Sequence, residues 1–150
     1  MARLFLKYGA DVNMEKTPGK DSPLTAACSL HCDQLAMLYI DKGADIHHRG
    51  CHGGTALHWA AWCGRDVVVK KLIEMNPQIN LLCTAFKSTP LFWAIHGYKF
   101  GGKENRYNQI ECARLLVEHG ADPNIPNFEG FRPMDLLGDD DEQLAVLLER

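Results

Sequence analysis

The chain has 150 residues, 46% hydrophobic and 23% charged, with a formal net charge of -3. These values fit one domain of ordinary composition and give no electrostatic case for nucleic acid or an anionic membrane surface. No apolar run nears the ~20 residues of a membrane span, and Lys7 and Gly9 interrupt any secretory core near Met1.

In chain order, Arg3 to Tyr8 reads as a helix that stops at Gly9-Ala10-Asp11-Val12-Asn13. Ser22-Pro23-Leu24-Thr25 then opens a short helix. Ser suits an N-cap, and Pro suits the first helical position because it has no N–H to leave unpaired. A second helix over Leu35 to Lys42 ends at Gly43-Ala44-Asp45-Ile46-His47. The script repeats from Thr55-Ala56-Leu57-His58, where Leu57, Ala60 and Ala61 form an apolar stripe closed by Gly64. A partner helix from about Val67 to Glu74 follows, then Asn76-Pro77-Gln78-Ile79-Asn80. Thr89-Pro90-Leu91-Phe92 opens the next unit, whose second helix, Ile110 to His119, stops at Gly120-Ala121-Asp122-Pro123-Asn124. A worn copy, Arg132-Pro133-Met134-Asp135, precedes a last helix, Glu142 to Glu149, with Asp139, Asp140 and Asp141 at its start.

The register is regular. Ser22 to His47 spans 25 residues, as does Thr55 to Asn80, whereas Thr89 to Asn124 spans 35. The tetrads at Ser22 and Thr55 lie 33 residues apart, and those at Thr55 and Thr89 lie 34. Such a period predicts stacked units sharing one elongated core. The third complete unit carries ten extra residues within 98–109, expected as a loop with adaptable contact residues Tyr98, Phe100 and Tyr107.

The Thr-Pro-Leu-His-like tetrads, the following Ala60-Ala61 and the Gly-Ala-Asp-Val-Asn stops resemble the ankyrin repeat family. The resemblance covers nearly the whole chain and implies an all-α ankyrin-type solenoid of stacked helix-turn-helix repeats with protruding hairpin turns. It divides residues 1–150 into a partial repeat (1–16), repeats at about 17–49, 50–83 and 84–126, and a C-terminal capping repeat (127–150). Arg132 at the capping position and Asp135 in place of histidine depart from the pattern. Because the chain starts mid-unit, it reads as a fragment of a longer protein rather than as a half-repeat with an open edge.

The resemblance places partner-facing residues in the turn before each tetrad and late in the first helix. They are His48, Cys51, His52 and Gly54 before Thr55, with Trp62 and Cys63 after it. The next unit gives Phe86, Ser88 and His96, and the last gives Phe128, Glu129 and Phe131. The counterparts around Ser22 are Pro18, Lys20, Asp21, Ser29 and Leu30. Phe86, Phe128, Phe131 and Trp62 stand out, because aromatics at exposed tips usually mark binding surfaces. The opposing reading has each tip aromatic packed on its neighbour's loop. Trp59 and Trp93 read as core between repeats.

The His/Cys-dense stretch Cys28, His31, Cys32, His47, His48, Cys51, His52, His58, Cys63 invites a zinc reading. The repeat frame accounts for most of it: Cys28 replaces a core alanine, and the resemblance gives His58 a structural bond to the Thr55 hydroxyl. No metal, cofactor or catalytic residue is therefore expected, and no enzyme. The expected function is a protein–protein interaction module that binds a protein partner, with no nucleic acid and no membrane. It would be monomeric or part of a longer repeat array. The alternative is a structural or regulatory repeat segment of a larger protein; a metal-binding module is a third option. Six cysteines without a disulfide-framework spacing place it in a reducing compartment, cytoplasm or nucleus.

Overall fold

In a computed structural model, residues 1–14, 17 and 19–149 are described, apart from the side chains of Ala2, Asn105 and Tyr107. Among them are eight α-helices and no strand: α1 Ala2–Lys7, α2 Pro23–Ser29, α3 Asp33–Asp41, α4 Ala56–Trp62, α5 Asp66–Glu74, α6 Pro90–Phe100, α7 Arg106–Glu118 and α8 Glu142–Leu148. Three 3-10 turns lie at Cys51–Gly53, Lys103–Asn105 and Pro133–Leu136. Pro18 and the Tyr107 side chain lie outside the described residues.

The tetrads act as helix starts. Ser22 and Thr89 are N-caps whose side chains accept the N–H of Thr25 and Phe92 at 3.2 Å, each followed by proline at the first helical position. Thr55 is tied through His58: the Thr55 N–H donates to His58 Nδ1 at 3.1 Å. In the worn copy the Arg132 N–H donates to Asp135 Oδ2 at 2.7 Å. Asp135 thus performs the backbone task of His58, but the segment forms only a 3-10 turn.

First helices pack in one row and second helices in another. α2 lies against α4 and α4 against α6, while α3 lies against α5 and α5 against α7. α8 closes on α7 and on the turn Pro133–Leu136. The shared spine is formed by Leu24, Leu57, Leu91, Ile95, Leu72, Leu116 and Leu144, each no more than 3% exposed. Ala60, Ala61, Ala94 and Ala113 are fully buried and small, so the helices approach closely. Gly97 marks the tightest point, where a Cβ would stand 2.2 Å from the Trp62 carbonyl oxygen. The buried Gln109 donates to that same carbonyl at 2.6 Å and ties α7 to the end of α4.

Polar clamps join the outer turns. Asn13 Oδ1 accepts the Asp45 N–H at 2.7 Å, and its Nδ2 donates to the Gly43 carbonyl. Asn80 repeats this on the Asp122 N–H at 2.8 Å and the Gly120 carbonyl. His47 occupies the same place in the intervening unit and makes no such clamp. The same two units are joined at the other end of their second helices, where Arg65 makes a two-pronged pair to Asp33, 2.6 Å on each side.

The ten extra residues of the third unit do not form an emergent loop. α6 has 11 residues against 7 in α4, and α7 has 13 against 9 in α5. Eight of the ten therefore lengthen the two helices, and only two lengthen their connection. Tyr98, expected on that loop, is buried; Arg106 lies over its ring at 5.0 Å. The nearby Lys99 ion-pairs with the buried Asp141 of the capping unit. Burial alone would raise the Asp141 carboxyl, but the Gly138 N–H and Lys99 outweigh it and hold it below the usual range.

Gly97→Ala should destabilise the chain by roughly 1–3 kcal/mol, because the obstacle is backbone and no side chain can swing aside. Urea unfolding followed by circular dichroism measures this, and unchanged stability would mean that α6 is not pressed on the end of α4.

Candidate functional site

The turns before the tetrads form a row of tips linked by backbone hydrogen bonds. The Ala85 N–H donates to the His52 carbonyl at 3.0 Å, and the Phe128 N–H donates to the Phe86 carbonyl at 2.9 Å. Each tip also closes on itself, as in Cys83 N–H to Ser88 O and Asn127 N–H to Phe131 O. Gly53 is indispensable to this row: its φ is 67°, and a Cβ would stand 1.4 Å from Thr84 Oγ1. The last tip is further fixed by Asn127, whose Oδ1 accepts the N–H groups of Glu129 and Phe131 at 3.0 and 2.9 Å.

Between these tips and helices α4 and α6 lies a groove of about 700 Å³. α4 supplies Trp59 and Trp62, three residues apart and so on one helix face. α6 supplies Phe92, Trp93, His96 and Phe100; the first, third and fourth recur at intervals of four. His52, Phe86, Phe128 and Phe131 come from the tips, with Asn127, Glu129 and Leu136 at the far end. Phe100 reaches the groove only because α6 is longer than α4.

The rings form a connected set. Trp59 and Trp93 meet nearly perpendicular at 5.1 Å, and His52 lies 5.2 Å from Phe86. Phe86 is 6.4 Å from both Trp93 and Phe128, and His96 is 4.7 Å from Phe100. The indole N–H of Trp62 donates to His96 Nδ1 at 3.3 Å, and that of Trp93 donates to Ser88 Oγ at 3.1 Å. Trp59 Nε1 is buried without a hydrogen-bond partner among the described residues. Although Phe86 touches Phe128 and Phe100 touches His96, Phe86, Phe128, Phe131 and Phe100 remain 40%, 61%, 49% and 65% exposed. Mutual covering of the tips and an open aromatic surface thus coexist.

Of the residues expected to face a partner, His52, Trp62, Phe86, His96, Phe100, Phe128, Glu129 and Phe131 come together here. Ser88 also lines the groove, but it is buried and committed to Trp93 and Cys83. Cys63 is buried with its thiol toward the Ser29 carbonyl, and Tyr98, on α6, is buried with Arg106 over its ring. Cys63, Ser88 and Tyr98 therefore present no surface to a partner, because packing between units claims them first. His48 and Cys51 lie one unit away: His48 Nε2 is 2.6 Å from the Lys20 carbonyl, and the Cys51 N–H donates to Asp21 Oδ1. They link neighbouring tips outside the groove. Trp59, Phe92, Trp93, Asn127 and Leu136 were not expected in a site. For the tryptophans and Phe92, helical spacing from Trp62 and His96 is the signal that finds them.

His58 lies beneath this floor, fully buried. Its Nδ1 accepts from Thr55, so Nε2 carries the proton and reaches the carbonyls of Leu81 at 3.0 Å and Ser88 at 3.3 Å. Burial pushes its pKa down to about 4, against the pull of those carbonyls. Burial likewise lowers the pKa of His96. The thiols of Cys28 and Cys63 are pushed up to about 12 and about 11 by burial, so neither offers a thiolate nucleophile or ligand near neutrality. Among the described residues no group of three or more His, Cys, Asp or Glu side chains is placed to hold a metal ion.

Sequence comparison supports the repeat architecture. Residues 1–83 match a model of ankyrin repeats in three copies, and residues 87–128 match a further ankyrin repeat. The chain belongs to the ankyrin repeat family, whose members are protein-interaction modules. It is 31% identical over 132 residues to palmitoyltransferase AKR1 of Lachancea kluyveri, covering 83% of this chain and 16% of that protein. It is 32% identical over 97 residues to palmitoyltransferase ZDHHC13 of Homo sapiens, 65% of this chain and 14% of the relative. It is 29% identical over 128 residues to SMC5-SMC6 complex localization factor protein 1 of Bos taurus, 83% of this chain and 11% of that protein. The chain therefore spans at most about a sixth of these relatives, whose ankyrin-repeat regions it matches. No helix among the described residues is long and apolar enough to cross a membrane.

His58 makes stability pH-dependent. Its folded pKa lies below the ordinary 6.5, so as pH falls the unfolded chain takes up the proton first. The contribution is complete above about pH 6.5 and is lost between there and about pH 4. Urea unfolding should show a loss of about 2 kcal/mol from about pH 7 to about pH 5. That slope should flatten in His58→Gln; an equal slope in both chains would contradict the assignment.

Proposed function

We propose that the groove between α4, α6 and the hairpin tips is where this module takes a segment of its protein partner, with Trp62, Phe86, Phe128 and Phe131 as anchors. The observation that carries this reading is the contiguity of ten aromatic or imidazole rings in one open groove of about 700 Å³. Exposed apolar surface of that kind marks interaction sites, and 700 Å³ lies within the range of sites that bury most of a ligand. The tip ladder and the Asn127 staple hold the rings in place beforehand, which reduces the ordering entropy lost on binding.

The role is binding rather than catalysis within this segment. Coverage of no more than 16% of the relatives favours a second layer: the stack serves as the recruiting or regulatory arm of a larger protein. His48 and Cys51, with Lys20 and Asp21, would extend the contact surface toward the N-terminal unit. The free cysteines, four of them buried, suit a reducing compartment such as cytoplasm or nucleus.

Affinity capture with the wild-type chain, followed by titration of the captured partner, tests the site. Phe86→Ala and Phe131→Ala should each weaken binding by roughly 30-fold, about 2 kcal/mol, with thermal unfolding of the free variants confirming that both fold. Undiminished affinity in both would remove the partner from this groove.

A further inference from the structure

The groove has a charge character as well as an apolar one. No lysine or arginine lines it, and its only carboxylate is Glu129. That carboxylate has no ion-pair partner among the described residues, and its backbone is pinned by Asn127. Arg132 and Lys99 are paired with Asp135 and Asp141, and Lys87, between Phe86 and Ser88, lines a separate surface with Arg49 and Leu82. The rings meet tilted or edge-to-face, with Trp59 at 75° to Trp62 and 84° to Trp93. These edge contacts cover Trp93, which is buried, whereas the half-buried Trp62 and the exposed Phe86, Phe100, Phe128 and Phe131 keep ring surface on the groove. An aromatic face carries the negative part of the ring's quadrupole and attracts cations, most strongly for tryptophan and where water is excluded.

We infer that the groove is selective for a positively charged, weakly hydrated head group carried by the partner segment, with Trp62 and the exposed phenyl rings as its bed and Glu129 as its counter-ion. This rests on the groove being the partner site. The chemistry ranks the candidates. A guanidinium or a methylated ammonium surrenders little hydration on entering an apolar groove, whereas a bare ammonium is strongly hydrated and enters at a greater desolvation cost. A segment presenting arginine or methylated lysine is therefore preferred over one presenting unmodified lysine, and any of these over a neutral side chain of the same shape.

The chain supplies its own reporter. All three of its tryptophans line the groove, so selectively excited tryptophan fluorescence reports on this site. The titration uses choline against its neutral carbon isostere 3,3-dimethylbutan-1-ol, and N-acetylarginine amide against the citrulline analogue. Each cation should bind saturably and roughly 3- to 30-fold more tightly than its neutral twin. Glu129→Gln, an exposed tip substitution that leaves the fold intact, should reduce the cation's advantage without changing the neutral compound. The arginine and choline arms separate a guanidinium from a methylated-ammonium preference. Equal binding of cation and neutral twin would overturn the charge selectivity and leave an apolar docking groove standing. Failure of all four compounds to bind would overturn the selectivity and the groove as a binding site together.

Discussion

Helices of seven residues, such as Pro23–Ser29, Ala56–Trp62 and Glu142–Leu148, do not persist alone in water, because nucleation costs more than so few turns return. They exist here because each buries its apolar stripe against the next unit. The contact of α4 with α6 is the densest part of this arrangement. Alanines at Ala60, Ala61 and Ala94 bring the backbones close, Gly97 removes the last obstacle, and Leu57, Leu91 and Ile95 fill the space between. Every other feature inherits its position from that packing.

The tips illustrate the dependence. Their spacing is set by the helix row behind them, which places the Ala85 N–H on the His52 carbonyl and the Phe128 N–H on the Phe86 carbonyl. The same registration sets Phe86 between His52 and Phe128 and turns Trp59 and Trp93 edge-to-face. His58 links the two layers: one ring nitrogen completes the helix start at Thr55, and the other bonds the carbonyls of Leu81 and Ser88 in the next turn. Were His58 protonated, its Nδ1 would confront the Thr55 N–H with a second donor, so the floor of the groove requires a neutral imidazole. The groove is a consequence of repeat stacking, not an addition to it.

The periodic features were legible in the sequence. Tetrads, stops and the 33-residue spacing predicted the helix pairs and the spine, and Leu57 and Leu91 are buried as that frame requires. Exposed aromatics before the tetrads pointed to Phe86, Phe128 and Phe131. The failures share a cause: side-chain burial in a solenoid depends on the neighbouring unit, which a single-unit template does not contain. Cys63 faces Ser29 of the preceding unit, Ser88 is claimed by Trp93, and Tyr98 is buried. The ten extra residues were located in the right stretch but read as a loop. Glycines at 101 and 102 suggested a loop, yet Phe92, His96 and Phe100 follow a helical interval of four, and both helices continue through most of the insertion. Trp59 and Trp93 were correctly placed between repeats, but burial on one side hid their role as groove floor on the other.

Amide hydrogen exchange of the whole chain, resolved by residue, tests the central claim most directly. If stacking sustains the helices, the slowest amides will lie in α4, α6 and the adjoining half of α7, with tip amides Ala85 and Phe128 also slowed. α1, whose described side chains are exposed apart from the half-buried Leu6, will exchange fastest among the helices. Amides in α4 and α6 that exchange as freely as those of α1 would contradict the account, since the central pair would then gain nothing from its neighbours.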